Sequence, residues 1–243
     1  MIVGIQLYTL RTIINNQLEE TFRQIKSMGY DGVELAGFYG KTANELKTLL
    51  NQQRLEVISA HESIERILEN PKQVMDDYVL LGTKNIVIPY TDIHDKESYE
   101  AMLPKIKKAV TMLTDAGFTV HYHNHSNEFN QFDDKYIIEH LLNDIEDLHL
   151  ELDIYWAKAA GVDIYAFIEL YKDKIKQLHA KDMVIEEKQH RFASVGEGTI
   201  DFTRIHSLFN DCWIVENDKP INNPLDNIQN SINYINQLRG GQK

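Results

Sequence analysis

Short runs of β-branched and aromatic residues recur along the whole chain, and a segment with helical periodicity follows each of them. Helices are predicted over Leu18–Met28, Thr42–Gln53 and Ser98–Gly117, where apolar residues return every three or four positions. The strand candidates are IVGIQLY, GYDGVELA, LEVISAH, KNIVIPY, FTVHYHNH, LHLELDIYW, KIKQLHAKD and CWIVEND. Eight strands that alternate with helices indicate a chain built from βα units.

The strand ends recur at a nearly constant interval. One polar residue lies near the end of each strand after the first: Glu34, His61, Tyr90, His123, Asp153, His179 and Glu216. These residues are 27, 29, 33, 30, 26 and 37 positions apart, which is close to the length of one βα unit. With no Pro/Gly/Ser-rich linker, the pattern predicts a single (β/α)₈ TIM barrel that occupies residues 1–243 as one domain. A doubly wound open sheet is the alternative, although no G-x-G-x-x-G follows the first strand.

Composition excludes several classes of partner. The formal net charge of −12 argues against a nucleic-acid partner, which needs a basic surface. No apolar run approaches the ~18 residues of a membrane-spanning helix. The N-terminal stretch MIVGIQLYTLRT enters a strand at once and does not resemble a signal peptide, so we expect a cytoplasmic protein. Cys212 is the only cysteine; it offers no thiolate cluster, and we expect it to be buried and inert.

The stretch HYHNHSNEF, from His121 to Phe129, places three histidines at alternating positions. Side chains of a strand repeat every second residue, so His121, His123 and His125 share one face if this segment is a strand. A row of imidazoles makes a poor apolar core but can line a binding site; a solvated edge strand is the alternative. We expect His121 to be the deepest of the three and to have a structural role.

Active sites of such barrels lie where the strands end, at the C-terminal face. The polar residues Glu34, His61, His123, Asp153, His179 and Glu216 all lie at that end. Carboxylates and imidazoles without cysteine suit a divalent ion such as Mn²⁺, Mg²⁺, Co²⁺ or Zn²⁺. Each histidine alone is more often structural, but six such residues at matching positions predict a metal site.

Six motifs resemble, in order, those of the sugar phosphate isomerase/epimerase family of xylose isomerase-like barrels. They are GIQLYTLR, YHNHSNEF, LDIYW, HAKDM, VGEGTIDF and VENDKP. The resemblance implies metal ligands on the last four strands: Asp153 of LDIYW, His179 of HAKD and Glu216 of VEND, with a further ligand on the fifth strand. Many relatives have a glutamate at that fifth position, where this chain has His123; Glu128 is the alternative ligand, or a substrate contact.

The family resemblance implies a metal-dependent isomerase or epimerase that acts on a keto-sugar or sugar derivative. Proton abstraction would give an enediolate, which the metal stabilises. Glu216 is a candidate base, and His125 or Glu128 would serve the other face. Substrate contacts are expected from Glu34, His61, Trp156 and Lys181, although Lys181 is as readily a surface ion-pair partner and Trp156 a core residue.

Two other functions remain open. A lyase, deglycosidase or dehydratase would use the same ligands but expel a leaving group, so its product would differ. A non-catalytic sugar-binding barrel is a third reading, and the occupied ligand positions argue against it. Endonuclease activity is disfavoured by the acidic charge. The partner is therefore expected to be a small-molecule sugar, and the resemblance also implies a homo-oligomer.

Overall fold

The computed structural model describes residues 1–187, 189–221 and 223–240. Eight parallel strands form a closed barrel, because the first strand pairs with both the second and the last. The strands are β1 (Ile2–Gln6), β2 (Gly32–Leu35), β3 (Glu56–His61), β4 (Asn85–Ile88), β5 (Thr119–His123), β6 (Leu148–Asp153), β7 (Ile175–Ala180) and β8 (Cys212–Val215). Every predicted strand is present, and closure confirms the (β/α)₈ barrel over the open sheet.

Helices connect the strands on the outside of the barrel and end the described chain. They are α1 (Leu18–Met28), α2 (Ala43–Gln53), α3 (Ile64–Glu69), α4 (Pro71–Leu81), α5 (Lys96–Thr114), α6 (Ile137–Asp144), α7 (Ile154–Ala159), α8 (Ile164–Tyr171), α9 (Phe202–Leu208) and α10 (Pro224–Gly240). Within the described ranges, none of these helices has both the length and the apolar character needed to cross a membrane.

Side-chain caps fix where several helices begin. The Thr42 hydroxyl accepts the backbone N–H of Glu45, whose carboxylate accepts the N–H of Thr42 in return, so α2 begins with a capping box. The Asp201 carboxylate accepts the backbone N–H of Arg204 at the start of α9. Such caps satisfy backbone donors that have no partner within the helix.

Two glycines make room for apolar side chains inside the barrel. A Cβ atom on Gly4 would lie 2.6 Å from Ile58 Cδ1 and 2.8 Å from Ile214 Cδ1, and one on Gly32 would lie 2.4 Å from the backbone oxygen of Glu56. These contacts are too short for any larger residue, because interiors are already close-packed. Isoleucine side chains therefore fill this part of the interior.

Two irregularities interrupt the otherwise regular pairing of the barrel strands. The register between β2 and β3 shifts at Val33/Glu34, and the register between β6 and β7 shifts at Leu150/Glu151. As a result, Ser59 lies opposite Glu34 and Gln177 lies opposite Glu151. Such bulges re-aim side chains and are common next to active sites.

An antiparallel ribbon of two strands, Asp182–Glu186 and Gln189–Ala193, follows β7 at the C-terminal face. The Asp182 carboxylate accepts the backbone N–H groups of Met183, Gly196, Gly198 and Ile200 at 2.7–3.1 Å. Asp182 of the HAKD motif therefore holds the VGEGTI loop in place. A Cβ atom on Gly198 would lie 2.3 Å from the Asp182 carboxylate, which explains why glycine occupies this position.

The single cysteine lies in β8. Cys212 is buried, and burial raises the pKa of its thiol to about 12. A thiol with so high a pKa stays protonated and unreactive at neutral pH, as the sequence predicted.

Candidate metal centre

Four side chains that can bind a metal ion meet at the carboxyl ends of the strands. His123 ends β5, Asp153 ends β6, His179 lies one residue before the end of β7, and Glu216 directly follows β8. One ligand atom from each lies within 4.8 Å of the other three, and all four side chains are buried. His179 Nδ1 is 2.7 Å from Glu216 Oε2, and His123 Nε2 is 3.9 Å from Asp153 Oδ2. We call these four residues the outer cluster.

The Lys181 ammonium lies among the carboxylates of the outer cluster. Lys181 Nζ is 2.7 Å from both Asp153 Oδ2 and Glu216 Oε2, and 3.1 Å from Asp218 Oδ2. The side chain is 1% exposed, so Lys181 is an internal ion-pair partner and not a surface one. Burial alone would lower the pKa of Lys181, but the three carboxylates outweigh it and keep the pKa well above its usual value. The residue therefore remains charged.

A second group of side chains contacts the outer cluster. We call Glu34, His61 and Glu151 the inner cluster. His61 Nε2 lies 2.8 Å from Glu151 Oε1 and 3.1 Å from Glu34 Oε1. Glu151 Oε1 also lies 3.0 Å from His123 Nδ1 and 2.9 Å from His179 Nε2, so the two clusters are in contact. A second set of candidate metal ligands also has ligand atoms within 4.8 Å of one another, and it consists of His61, Glu151, His123 and His179.

The chemistry of these donors fits a divalent cation. Four carboxylates are at most 6% exposed: Glu34, Glu151, Asp153 and Glu216. Among the described residues, Lys181 is the one ammonium that forms ion pairs with any of them. Buried anions are costly unless a cation compensates their charge. Asp153 Oδ2 is buried, and its one charged partner within 3 Å among the described residues is the Lys181 ammonium, at 2.7 Å. Imidazole and carboxylate donors suit Zn²⁺, Mn²⁺ or Co²⁺.

Burial and neighbouring charges shift the ionisation of the outer cluster. Burial raises the pKa of Asp153 to about 6, although Lys181 and His179 oppose the shift. Burial alone would also raise the pKa of Glu216, but Lys181 and His179 outweigh it, so this pKa lies below its usual value. Glu216 is therefore ionised. Burial would lower the pKa of His179, yet Glu151, Glu216 and Glu34 hold it well above its usual value. A cation must displace a proton from His179 to bind it.

A cavity of about 570 Å³ opens above the outer cluster. His61, His123, His125 and Glu216 line its wall, which matches four of the residues predicted from the sequence. Lining residues that the sequence analysis did not select for the site are Tyr8, Arg11, Ala36, Gly37, Pro89, Tyr90, Asp218 and Lys219. The volume is in the usual range for a small-molecule site.

His125 and Trp156 lie together beside this cavity. The two ring centroids are 5.2 Å apart in an edge-to-face arrangement, and the Tyr90 ring centroid lies 4.8 Å from that of His125. Burial, assisted by the charge of Lys181, lowers the pKa of His125 to about 4. His125 is therefore a neutral imidazole at neutral pH and can accept a proton.

Four of the predicted catalytic and substrate-binding residues do not line the cavity wall: Glu34, Glu128, Trp156 and Lys181. Glu34 is completely buried in the inner cluster, beneath the cavity. Glu128 is also completely buried; its carboxylate accepts the Tyr122 hydroxyl and the backbone N–H of His125, both at 2.9 Å. Glu128 belongs to neither set of candidate metal ligands. It lies behind His125 and fixes the loop that carries this histidine.

Glu151 and Gln177 belong to the buried network but were missed in the sequence. Each lies two residues before a predicted ligand on the same strand, Glu151 before Asp153 and Gln177 before His179. Because strand side chains alternate, residues at this spacing share a face. The spacing was therefore a usable signal, but only one polar residue per strand had been selected.

Substituting Lys181 with methionine is expected to strengthen metal binding. The substitution keeps the length of the side chain but removes the positive charge 2.7 Å from Asp153 Oδ2 and Glu216 Oε2. We predict a Mn²⁺ dissociation constant at least roughly tenfold lower, which corresponds to about 1.4 kcal/mol. Titration calorimetry measures it. Lys176→Met is the matched control, since Lys176 is an exposed lysine of β7, the strand that Lys181 directly follows. Equal or weaker Mn²⁺ binding by Lys181→Met would contradict the competition between the two cations.

Substituting Glu128 with glutamine is expected to change how stability depends on pH. Burial raises the pKa of Glu128 to about 7, so the folded state holds a proton that the unfolded chain releases near pH 4.5. The protonated carboxyl therefore contributes its full stability below the unfolded pKa, and this contribution is lost as pH rises through about 7. Relative to wild type, Glu128→Gln should gain about 2–3 kcal/mol of unfolding free energy between pH 5 and pH 8.

Urea denaturation at both pH values measures this difference. Exposed Glu100→Gln serves as the control, and its stability relative to wild type should stay constant. A stability difference between Glu128→Gln and wild type that is the same at pH 5 and pH 8 would show that Glu128 is ionised throughout.

Known proteins resemble this chain over nearly its full length. An inosose dehydratase of Clostridium beijerinckii is 22% identical, and the match covers 93% of this chain and 91% of the relative. A crystal structure of a sugar phosphate isomerase/epimerase from Parabacteroides distasonis has a TM-score of 0.80 at 22% identity, covering 96% of this chain and 92% of the other.

A structure of the IOLI protein with a bound zinc atom has a TM-score of 0.76 at 16% identity, with 98% of both chains covered. At these identities the structural matches establish the fold alone. The family model described as xylose isomerase-like TIM barrel matches residues 22–237. The chain therefore belongs to the family of xylose isomerase-like TIM barrels, whose members include isomerases, epimerases and dehydratases.

Proposed function

We propose that this protein is a divalent-cation-dependent isomerase or epimerase of a keto-sugar or sugar derivative. The proposal rests on the geometry of the outer cluster. Its four buried residues place ligand atoms within 4.8 Å of one another, beneath a cavity of about 570 Å³. Membership of a family that contains sugar isomerases and epimerases supports the reaction class.

The proposed ligands of the cation are His123, Asp153, His179 and Glu216. A bound divalent ion would supply Lewis acidity toward the carbonyl group of the substrate. Mn²⁺, Mg²⁺, Co²⁺ and Zn²⁺ are the candidates, and the zinc in a structural neighbour supports the capacity of this fold to hold such an ion. Lys181 neutralises part of the carboxylate charge from within the protein.

Proton transfer is assigned to two groups on the cavity wall. Glu216 is ionised, and His125 is a neutral imidazole, so both can accept a proton from the carbon next to the carbonyl group. They come from the ends of different strands, β8 and β5, and so can approach a substrate from different sides. Glu128 supports His125 through its backbone N–H and is proposed to position that residue.

Substrate hydroxyl groups are expected to meet His61 and the aromatic wall. His61 lines the cavity, while its Nε2 contacts the inner cluster. Trp156 carries an indole Nε1 that is buried and has no hydrogen-bond partner among the described residues, so it is available to donate. Tyr8 and Tyr90 offer partly exposed rings at the entrance.

A dehydratase or lyase is the second candidate. The inosose dehydratase from Clostridium beijerinckii favours it, since that relative matches this chain over 93% of its length. The same residues would remove the proton beside the carbonyl group, and a leaving group on the neighbouring carbon would then depart. The product distinguishes the two reactions, because elimination yields water or two fragments and isomerisation does not.

The test is incubation of the Mn²⁺-loaded protein with a panel of keto-sugars and 3-keto-glycosides in D₂O. We predict one bound ion per chain by mass spectrometry and deuterium incorporation at the carbon next to the carbonyl group. Asp153→Asn should lose the ion and at least ~10²-fold of the exchange rate, because it removes a ligand charge.

Asp147→Asn is the matched control. Asp147 is exposed and precedes β6, whereas Asp153 ends the same strand, so the control should retain both ion and exchange. Exchange that continues unchanged in Asp153→Asn, or a wild-type protein that takes up no divalent ion, would refute the proposed function.

A further inference from the structure

Two imidazole rings connect the outer and inner clusters, and each has a carboxylate at both nitrogens. His179 Nδ1 lies 2.7 Å from Glu216 Oε2, while its Nε2 lies 2.7 Å from Glu34 Oε1. His123 Nε2 lies 3.9 Å from Asp153 Oδ2, while its Nδ1 lies 3.0 Å from Glu151 Oε1. In both rings, one nitrogen therefore faces the outer carboxylates and the other faces the inner ones.

A neutral imidazole has one N–H group and one lone pair. It can bind a cation through one nitrogen only, and the other nitrogen must then donate its proton to an acceptor. The two sets of candidate ligands share His123 and His179, so these rings cannot serve a cation in both sets at once. One set must supply ligands and the other must supply hydrogen-bond acceptors.

The inner carboxylates are held as acceptors by uncharged donors. Glu34 Oε2 accepts the Ser59 hydroxyl at 2.5 Å and the Gln177 amide at 2.9 Å. The same Gln177 amide donates to Glu151 Oε2. The second oxygen of each glutamate, Oε1, is thereby turned toward the imidazole rings.

The strand irregularities of the barrel account for this arrangement. The register shift at Val33/Glu34 brings Ser59 opposite Glu34, and the shift at Leu150/Glu151 brings Gln177 opposite Glu151. The two register shifts of the described barrel strands thus occur at the two inner glutamates. Each shift supplies the uncharged donor that fixes the neighbouring carboxylate.

We propose that Glu34 and Glu151 are positioning residues for a cation in the outer cluster. Glu34 accepts the Nε2–H of His179 and Glu151 accepts the Nδ1–H of His123, which leaves His179 Nδ1 and His123 Nε2 free to bind the ion. A slight rotation of His123 completes its bond, since Nδ1 is within reach of Glu151 but not yet aligned. This inference rests on the proposed function, because it assumes that the outer cluster holds the ion.

Tautomers can be read directly by long-range ¹H–¹⁵N correlation spectra of the Zn²⁺-loaded, ¹⁵N-histidine-labelled protein. Spectra of His123→Gln and His179→Gln assign the signals. We expect His179 to carry its proton on Nε2 and His123 on Nδ1. Glu34→Gln and Glu151→Gln should each weaken Zn²⁺ binding by roughly 10- to 100-fold, the usual effect of losing such a partner. Glu151→Leu should weaken it further, since leucine cannot accept a hydrogen bond.

Glu62→Gln is the matched control. Glu62 is a buried glutamate that follows β3 but contacts Arg66 and Tyr78, not the histidines. This substitution should leave Zn²⁺ affinity and both tautomers unchanged, whatever it does to stability. A merely structural role for Glu34 and Glu151 would make their variants behave like this control.

Three results would overturn the inference. Zn²⁺ affinity that stays within about twofold in both glutamine variants would remove the positioning role. A His179 proton on Nδ1 in the loaded protein would place the ion in the inner set, which overturns this inference and the ligand set of the proposed function but not the exchange reaction, which the D₂O experiment tests separately. No Zn²⁺ binding by wild type would refute both. Conversely, the expected tautomers without any deuterium exchange would support the positioning role and reject the proposed reaction.

Discussion

The burial of four carboxylates inside one barrel is the constraint on which the rest of the structure depends. Glu34, Glu151, Asp153 and Glu216 are removed from water almost completely, and an isolated buried charge is prohibitively costly. The surrounding interior is therefore polar where an ordinary barrel would carry branched apolar residues. Lys181, the imidazole rings, and the proposed cation compensate the charge from above, while Ser59 and Gln177 donate hydrogen bonds from the side.

The barrel interior therefore consists of layers that differ in composition and in role. The isoleucines that pack against Gly4 fill one part with apolar atoms. The inner cluster supplies fixed hydrogen-bond acceptors, and the outer cluster presents lone pairs at the floor of the cavity. The two strand bulges link these tasks, because each turns an additional polar side chain inward. If Glu34 and Glu151 position the histidine ligands as proposed, the two strand bulges determine which histidine nitrogens can bind the ion.

Much of the fold, and part of the site, could be predicted from the sequence. The spacing of polar strand ends predicted the barrel because each βα unit requires a similar length of chain. His123, Asp153, His179 and Glu216 come together because the C-terminal ends of parallel strands meet at one face. Their assignment as ligands remains a proposal.

Other features depend on closure of the barrel and could not be read from local patterns. Lys181 contacts the carboxylates of Asp153, which ends β6, and Glu216, which follows β8. No periodic pattern in the sequence relates Lys181 to either residue. The expectation that Glu34 contacts substrate came from its position at a strand end, without knowledge that a bulge turns it beneath the cavity. Glu128 was considered as a ligand because many relatives have a glutamate at the end of the fifth strand, where this chain has His123, but the loop directs its carboxylate toward Tyr122.

Anomalous diffraction from crystals of the Mn²⁺-loaded protein would locate the ion and so test whether the outer cluster binds it. We expect one Mn²⁺ peak between Asp153 Oδ2, Glu216 Oε2, His179 Nδ1 and His123 Nε2, with the Lys181 ammonium displaced toward Asp218. A peak between His61 and Glu151, or no peak at saturating Mn²⁺, would contradict this expectation.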